Sequence, residues 1–330
     1  MHPFVDACLA SPIGACLVAR LEQQQRPDRT WLSDDPTSNP EYVAQAVSQV
    51  RRMSFGAVCE QVLEASMIVG PWVSGAELEA WAAYLHVEER RPVAAAIAAS
   101  FGDRLHAPID LSGQEWWLNS SGAAAEAPLF QQLDHVYDNG ELSWGALRAY
   151  GPTPIDALDC QFGEAPLPHS RWSLPVTTSP RVFEIHRPSD WHRLCVSYPN
   201  PATLRSGPDS LPGHRDNLPQ LLELPNQHAN ARDVGTHLCT RWSHVATDYD
   251  AVHLSWAGFI TTEGFVLNQG SHTTMLRFWD REVTMWLKDC FGTPEPLSLP
   301  IECDHLIDAA TSPTRLAQDQ EVIAKMLARP

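Results

Sequence analysis

Several motifs that identify common enzyme classes are absent from this chain. It contains neither a GxxxxGK[ST] phosphate loop nor a GxGxxG dinucleotide fingerprint, which argues against P-loop, kinase and Rossmann chemistry. Its eight cysteines form no CxxC pair, which argues against a zinc ribbon or an iron–sulfur cluster. Function therefore has to be inferred from side-chain patterns.

Lysine is nearly absent as well. Of the 23 basic residues only Lys288 and Lys325 are lysines, so Schiff-base and pyridoxal-phosphate chemistry have few candidates. The arginines form no basic run and the net charge is −17, which argues against nucleic acid and anionic membranes as partners. The excess of arginine over lysine, with abundant alanine, proline and tryptophan, is typical of GC-rich coding sequence and indicates an actinobacterial origin.

Long hydrophobic runs are also missing. No apolar run approaches the roughly 18 to 20 residues that a membrane helix requires. Residues 1–29 lack a basic region before their modest apolar stretch, so they form a poor secretory signal. We therefore expect a cytoplasmic protein with reduced thiols.

The first half of the chain has a helical pattern. Of 330 residues 44% are apolar, which is enough for a substantial core. Residues 1–150 form the predicted N-terminal portion. Within it, residues 1–40 contain scattered prolines and are expected to form an irregular arm, and the rest is predicted to be mainly helical. Ser74 and Glu77 form a capping box, and an alanine-rich helix is expected from Pro92 until Gly102 ends it.

The second half, residues 181–330, mixes strand and helix signals. Residues 151–180, with six prolines, are predicted to be a surface connector between the halves. RVFEIHRP alternates like a strand, and Ser189 is expected to cap the next helix. AVHLSWAGF, GFVLN and TMLRFW are expected to be further strands. The fold class is therefore α+β, with a helical N-terminal portion packed on a C-terminal portion that holds a small antiparallel sheet flanked by helices.

Two segments of this half carry a resemblance. VFEIHRPSDWHRLCVSYP and DYDAVHLS, with the turn at Gly258, resemble segments of uncharacterised actinobacterial proteins. The resemblance spans about residues 181–291. It implies that this half is one unit, and it transfers no activity and no catalytic residue.

The density of histidines raises the question of a metal centre, since nine of the 14 lie between residues 169 and 272. An iron(II)/2-oxoglutarate oxygenase uses two histidines and one carboxylate, with a distal arginine for the oxo acid. His214, Asp216 and His272 have a tolerable spacing for such a set, with Arg281 as the arginine. His214 and Asp216 lie between prolines rather than after a strand, so a polar loop is the competing interpretation.

A covalent nucleophile is a second alternative. Ser255 lies in HLSWAG, which lacks the leading glycine of a GxSxG elbow. Cys195 follows His192 by three residues, and Cys239 follows His237 by two. Buried cysteines are commonly inert, and thiol activation depends on proximity in space rather than in sequence.

A third alternative is an ADP-ribosyltransferase-like enzyme that uses NAD. The order Arg181, Ser255 and Glu282 resembles the Arg, Ser and Glu triad of that family, in which the arginine grips the NAD phosphates and the glutamate stabilises an oxocarbenium-like centre. The match is confined to three residues. It departs from the family because Ser255 is not in a Ser-Thr-Ser run and Asp280 occupies the position of the specificity residue.

The strongest pattern is a set of polar residues at strand alternation. Glu184 and His186 are two residues apart on one predicted strand, and His253 and Ser255 on another, so each pair projects from one sheet face. One carboxylate, two imidazoles and a hydroxyl suit general acid–base catalysis at neutral pH. The competing interpretation is that these side chains form a solvated face while the apolar residues between them fill the core.

The sequence therefore predicts a cofactor-independent enzyme that acts on a small polar metabolite, in specialised metabolism. His253 and His186 are the predicted acid and base, and Glu184 orients them. The remaining substrate contacts are assigned to Arg181 or Arg281 as an anion clamp, Trp256 and Trp279 as pocket walls, and Glu282. The alternative is that the chain is a non-catalytic partner or stabilising subunit, or a homo-oligomer. An exposed apolar patch would favour this alternative, whereas a deep pocket at His253 and Glu184 would favour the enzyme.

Overall fold

The fold is a mixture of helices and small sheets, which confirms the α+β class. The computed structural model describes residues 3–27, 37–70, 73–82, 85, 88–119, 129–136, 142–143, 145–152, 168–207, 210–211, 218–224, 234–279, 281–298, 317 and 320. Within these ranges the chain forms ten helices and three sheets.

Six helices make up the N-terminal portion. They are α1 (Pro3–Ala10), α2 (Pro12–Gln23), α3 (Pro40–Val50), α4 (Phe55–Val69), α5 (Gly75–Ala82) and α6 (Arg91–Leu105). The capping box is confirmed at the start of α5, where Glu77 N donates to Ser74 Oγ and Ser74 N donates to Glu77 Oε2. Pro92 lies in the first turn of α6 as predicted, but this helix continues past Gly102 to Leu105.

The expected irregular arm over residues 1–40 is wrong, because α1 and α2 occupy it. Pro12 suggested irregular chain, but it lies in the first turn of α2, where a missing N–H costs nothing. Every residue of α2 is buried, and the helix packs against α1, α3, α4 and α6. Among the described helices none alone is long and apolar enough to cross a membrane, although α1 and α2, bent by 90°, meet the length and composition requirement together.

A buried ion pair ties α2 to its neighbours. Glu22 Oε2 lies 2.5 Å from Arg90 Nε, and both side chains are almost completely inaccessible. The other carboxylate oxygen accepts a hydrogen bond from Asn39 N, which caps α3. One glutamate therefore joins α2 to the starts of both α3 and α6.

The C-terminal portion adds shorter elements. Its helices are α7 (Pro188–Ser197), α8 (Leu218–Leu222), α9 (Trp242–Asp248) and α10 (Trp256–Thr262). The strands of the molecule are β1 (Glu115–Asn119), β2 (Leu147–Ala149), β3 (Pro168–Ser173), β4 (Val182–Ile185), β5 (Arg205–Ser206), β6 (Thr236–His237), β7 (Ala251–Leu254), β8 (Val266–Gln269), β9 (His272–Met275), β10 (Val283–Trp286) and β11 (Glu295–Leu297). The predicted closing helix after residue 312 lies outside the described residues except for residues 317 and 320.

The central sheet has the strand order β2-β10-β7-β4. β10 is antiparallel to β2 and β7, but β4 runs parallel to β7. The expectation of an antiparallel sheet is therefore wrong for this sheet, since a crossover that includes α7 and α9 separates β4 from β7 and returns the chain in the same direction. The other sheets have the orders β1-β3-β11 and β5-β6-β9-β8.

Strands on either side of the predicted connector pair with one another. β3 lies within residues 151–180 and pairs with β1, while β2 joins β10 in the central sheet. One hydrophobic cluster contains residues of α1 to α4 and α6 together with β4, β7 and β10. The helical portion and the central sheet thus share a core, and the described part of the connector contributes β3 to the β1-β3-β11 sheet rather than only crossing the surface.

Two helix starts differ from the sequence prediction. α7 begins at Pro188 with Arg187 as its N-cap, not at Ser189. The predicted strand AVHLSWAGF ends at Leu254, because Ser255 accepts a hydrogen bond from Gly258 N and so starts α10. α10 packs tightly on β4: a Cβ on Gly258 would lie 2.2 Å from the carbonyl oxygen of Ile185.

Candidate active site at the edge of the central sheet

The parallel pairing of β4 and β7 places Glu184 directly beside His253. His186 and Ser255 directly follow the ends of these two strands, and their side chains meet, with Nδ1 of the histidine 2.9 Å from Oγ of the serine. The apolar residues between them, such as Ile185 and Leu254, belong to the main core. The alternation predicted from the sequence is confirmed on these two strands.

His253 lies between two carboxylates. Its Nδ1 is 2.5 Å from Glu184 Oε2, and its Nε2 is 3.3 Å from Glu282 Oε1. Glu184 is held further by Ile109 N, which donates to Oε1 over 3.1 Å. The backbone of Gly151 lies against Glu282, since a Cβ at Gly151 would lie 3.4 Å from the Glu282 carboxylate.

The face that carries this cluster is covered rather than solvated. His253 is only 1% exposed. Toward the other end of the sheet, a second hydrophobic cluster contains Trp116, Trp172 and Trp286. The competing interpretation of a solvated polar face is therefore wrong for His253, although it describes correctly which residues fill the core.

The carboxylates set the charge of His253. Burial lowers the pKa of its imidazole, but the hydrogen bonds and charges of Glu184 and Glu282 outweigh burial and raise this pKa to about 9. Burial raises the pKa of the Glu184 carboxyl, but the hydrogen bond and charge of His253, together with the hydrogen bond from Ile109 N and the charge of His186, hold this pKa below its ordinary value. An imidazolium between carboxylates is the favoured state at neutral pH.

His186 has a different environment. Its Nδ1 lies 2.9 Å from Ser255 Oγ, which also donates to Ile185 O and accepts from Gly258 N. Asp190 Oδ2 accepts a hydrogen bond from the His186 backbone N–H. Burial lowers the pKa of the His186 imidazole, and the charges of Glu184 and Asp190 offset this effect only in part. His186 is therefore neutral where His253 is charged.

A cavity of about 800 Å³ opens beside these residues. Val182, Phe183 and Glu184 all line it, although consecutive side chains of a strand point to opposite faces. This is explained by the position of β4 at the end of the strand order, since the cavity runs along its edge. His186 and the start of α7 also line the cavity.

His106 joins the cavity from the end of α6. Its ring centroid lies 6.0 Å from that of His186 and 5.4 Å from that of Phe4 on α1. Its Nδ1 is 2.8 Å from Gly102 O, and since a carbonyl only accepts, Nδ1 carries the proton. His106 is not among the residues predicted from the sequence, because only the packing of α6 against α1 brings it to the sheet.

Four other predicted contact residues make their contacts outside this cluster. Arg181 is exposed, and its guanidinium donates to Thr247 O. Trp256 and Trp279 are buried in the main core rather than in the cavity wall. Arg281, next to Glu282 in sequence, stacks 3.9 Å above the Tyr150 ring.

The alternative chemistries find little geometric support. Arg181 precedes β4 at one end of the sheet, whereas Glu282 precedes β10 at the other, because Val182 is aligned with Ala251 and Val283 with Leu254. The proposed NAD triad is therefore split. Cys195 and Cys239 are buried, which disfavours a nucleophilic role.

The proposed iron set falls partly outside the described residues. His214 and Asp216 are not described, and His272 starts β9, in a different sheet from His253. Within the described ranges no three His, Cys, Asp or Glu side chains are placed to share a metal ion.

Comparison with known proteins gives no match. Neither a protein-family model, nor a curated protein, nor a solved structure matches this chain.

Proposed function

We propose that the protein is a cofactor-independent enzyme that uses general acid–base catalysis on a small molecule bound at the edge of β4. The observation that carries the proposal is the position of His186. It lines a cavity of about 800 Å³, and burial lowers its pKa so that it is neutral and basic at physiological pH. Cavities of this size with a few convergent polar groups are typical of small-molecule sites.

His186 is the base in this scheme. The Ser255 hydroxyl has one proton, and with Ile185 O as its acceptor the oxygen is free to accept from His186 Nδ1. This arrangement leaves the lone pair on Nε2, the nitrogen that removes a proton from the substrate. The resulting imidazolium is stabilised by Glu184 and Asp190, whose charges both raise the pKa of His186.

His253 takes the positioning role in place of Glu184. Both of its ring nitrogens face carboxylates, so it has no lone pair to offer a substrate. Its charge keeps Glu184 ionised and fixed at the cavity wall. His253 is therefore not the acid or base expected from the sequence, while His186 keeps its predicted catalytic role.

The partner-subunit alternative lacks a comparable observation. Among the described residues the exposed large apolar side chains are Met67 on α4, Val196 on α7 and Leu204, which directly precedes β5. Single exposed apolar residues are ordinary on soluble proteins, whereas docking sites present contiguous patches.

The test is proton exchange catalysed by the purified protein. A bacterial metabolite extract in deuterium oxide is incubated with wild type, with His186→Gln and with the control His244→Gln, which changes an exposed histidine on α9. We expect mass spectrometry to detect a metabolite that gains deuterium or is converted by wild type and by the control. The rate should fall at least about 100-fold in His186→Gln. An unchanged rate in His186→Gln, or no converted metabolite, would contradict the proposal.

A further inference from the structure

Aromatic rings form much of the cavity wall. Phe4, Phe183, Tyr249 and Phe265 all line it. Phe183 and Tyr249 pack edge to face with ring centroids 5.3 Å apart. Aromatic faces attract cations, and Phe183 already has one nearby, since the Arg193 guanidinium lies 5.1 Å from its ring centroid.

The charge fixed deep in this cavity is negative. Glu184, His253 as an imidazolium, and Glu282 together carry one net negative charge, and of these three only Glu184 lines the cavity. Hydrogen bonds to both Glu184 oxygens hold the carboxylate in place, with 23% of the side chain exposed. Its field therefore acts close to any bound ligand and is weakly screened.

The positive charges of the cavity are at its outer rim. Arg187 and Arg193 are 61% and 60% exposed, and each faces Asp190 Oδ1, at 3.7 and 3.4 Å. The exposed guanidinium groups are screened by water, and both of them face the carboxylate of Asp190, whose side chain is only 8% exposed. The two arginines therefore oppose the field of Glu184 in the cavity only weakly.

The strand edge adds hydrogen-bond acceptors. Ser255 N donates to Ile185 O and Ala251 N to Arg181 O, so the backbone groups of odd-numbered residues face β7. The carbonyl and N–H groups of Val182 and Glu184 then face the opposite edge, where the cavity lies, so the edge offers acceptors together with donors. Carbonyl oxygens suit a ligand that donates N–H groups.

We infer that this cavity binds a protonated amine with an apolar, ring-sized or alkyl body. The ammonium group pairs with Glu184 and the edge carbonyls, and the body packs against the aromatic wall. The inference rests on the proposed function, because it names the substrate class of the same site. It narrows the predicted substrate class from a small polar metabolite to an amphipathic cation.

Three probes that share a phenylethyl group test the selectivity for a protonated amine: 2-phenylethylamine, 3-phenylpropanoate and 2-phenylethanol. Calorimetric titration of the whole protein at pH 7 should give at least tenfold tighter binding of the amine than of the acid or the alcohol. Glu184→Gln should abolish the preference over the alcohol, whereas the control Glu79→Gln, an exposed residue of α5, should keep it. Tighter binding of the acid, which the rim arginines would produce, or equal binding of all three probes would overturn the inference.

A second variant covers the case in which Glu184→Gln does not fold. Phe4→Leu keeps an apolar side chain but removes one ring, and it should weaken amine binding about threefold relative to the alcohol. An unchanged ratio would overturn the aromatic part of the inference.

The His186→Gln variant separates this inference from the proposed function. If both His186→Gln and wild type prefer the amine but wild type catalyses no proton exchange, the inference is supported and the catalytic proposal fails. Proton exchange that depends on His186, without amine selectivity, overturns the inference alone.

Discussion

Glu184 and His253 lie side by side on two parallel strands, with Oε2 of the glutamate 2.5 Å from Nδ1 of the histidine. Glu282 lies 3.3 Å from the second ring nitrogen. A buried charge is stabilised only where partners compensate for lost hydration, and here two carboxylates do so. The same relationship leaves His186 as the histidine free to act on a substrate.

Replacement of His253 should cost stability before it affects chemistry. His253→Gln leaves two largely buried carboxylates without a cation, so we expect the free energy of unfolding to fall by about 3 to 5 kcal/mol. Urea unfolding followed by circular dichroism measures this change. The control His244→Gln should stay within about 0.5 kcal/mol of wild type. A loss below about 1 kcal/mol in His253→Gln would show that the imidazole is not charged between the carboxylates.

Stability should also decline in alkaline solution. The His253 pKa is raised from 6.5 to about 9, so the charged pair stabilises the fold fully below pH 6.5 and is lost as the pH rises through 9. The shift corresponds to about 3 kcal/mol. Urea unfolding at pH 6 and pH 10 should show this decline in wild type and a much smaller one in His253→Gln. Equal declines in both proteins would assign the pH dependence to other groups.

Ser255 should act as a helix cap and as the partner of His186. Ser255→Ala removes the N-cap of α10, and Ser54→Ala removes the equivalent cap of α4, so each should lose about 1 kcal/mol of stability. Only Ser255→Ala should change the titration of His186, because it removes the Nδ1 partner. Identical His186 titration curves in the two variants, followed by NMR, would remove Ser255 from the site.

Gly258 should not tolerate a side chain. In Gly258→Ala the new Cβ meets Ile185 O at 2.2 Å, which forces α10 away from β4 and should cost about 2 kcal/mol or more. Gly102→Ala is the matched control, because no atom lies within 4 Å of its Cβ position on α6. That change should stabilise the protein by about 0.5 to 1 kcal/mol, as alanine favours helix. Thermal unfolding distinguishes the two, and a stable Gly258→Ala would contradict the close packing.

Local patterns predicted the residues of the site, but not their arrangement. The alternation of side chains along a strand predicts that Glu184 shares a face with His186, and His253 with Ser255, because this prediction depends only on the period of a strand. That β4 and β7 are neighbours, and that β10 brings Glu282 to His253, depends on pairing between distant segments. Alternation also carries no information about loop cover, so the contact from Ile109 N to Glu184 could not be predicted.

Two of the helices that the sequence did not reveal, α2 and α10, share one cause. Every residue of α10 and of α2 is buried, so neither helix has the polar face that gives the helical period in sequence. Ser255 and Gly258 are a weak capping signal, and the apolar run after them was interpreted as a strand. α3 and α4, by contrast, leave part of their surface unburied, and both lie in the part of the chain that the sequence predicts to be mainly helical.

Histidine NMR across a pH titration tests the central claim most directly. Nitrogen-15 shifts report whether each ring nitrogen carries a proton. We expect His253 to be protonated on both nitrogens at pH 7 and to titrate near pH 9, and His186 to be neutral at pH 7, titrating below its ordinary value of 6.5. A His253 that is neutral at pH 7, or a His186 that is charged there, would contradict the division of roles between the two histidines.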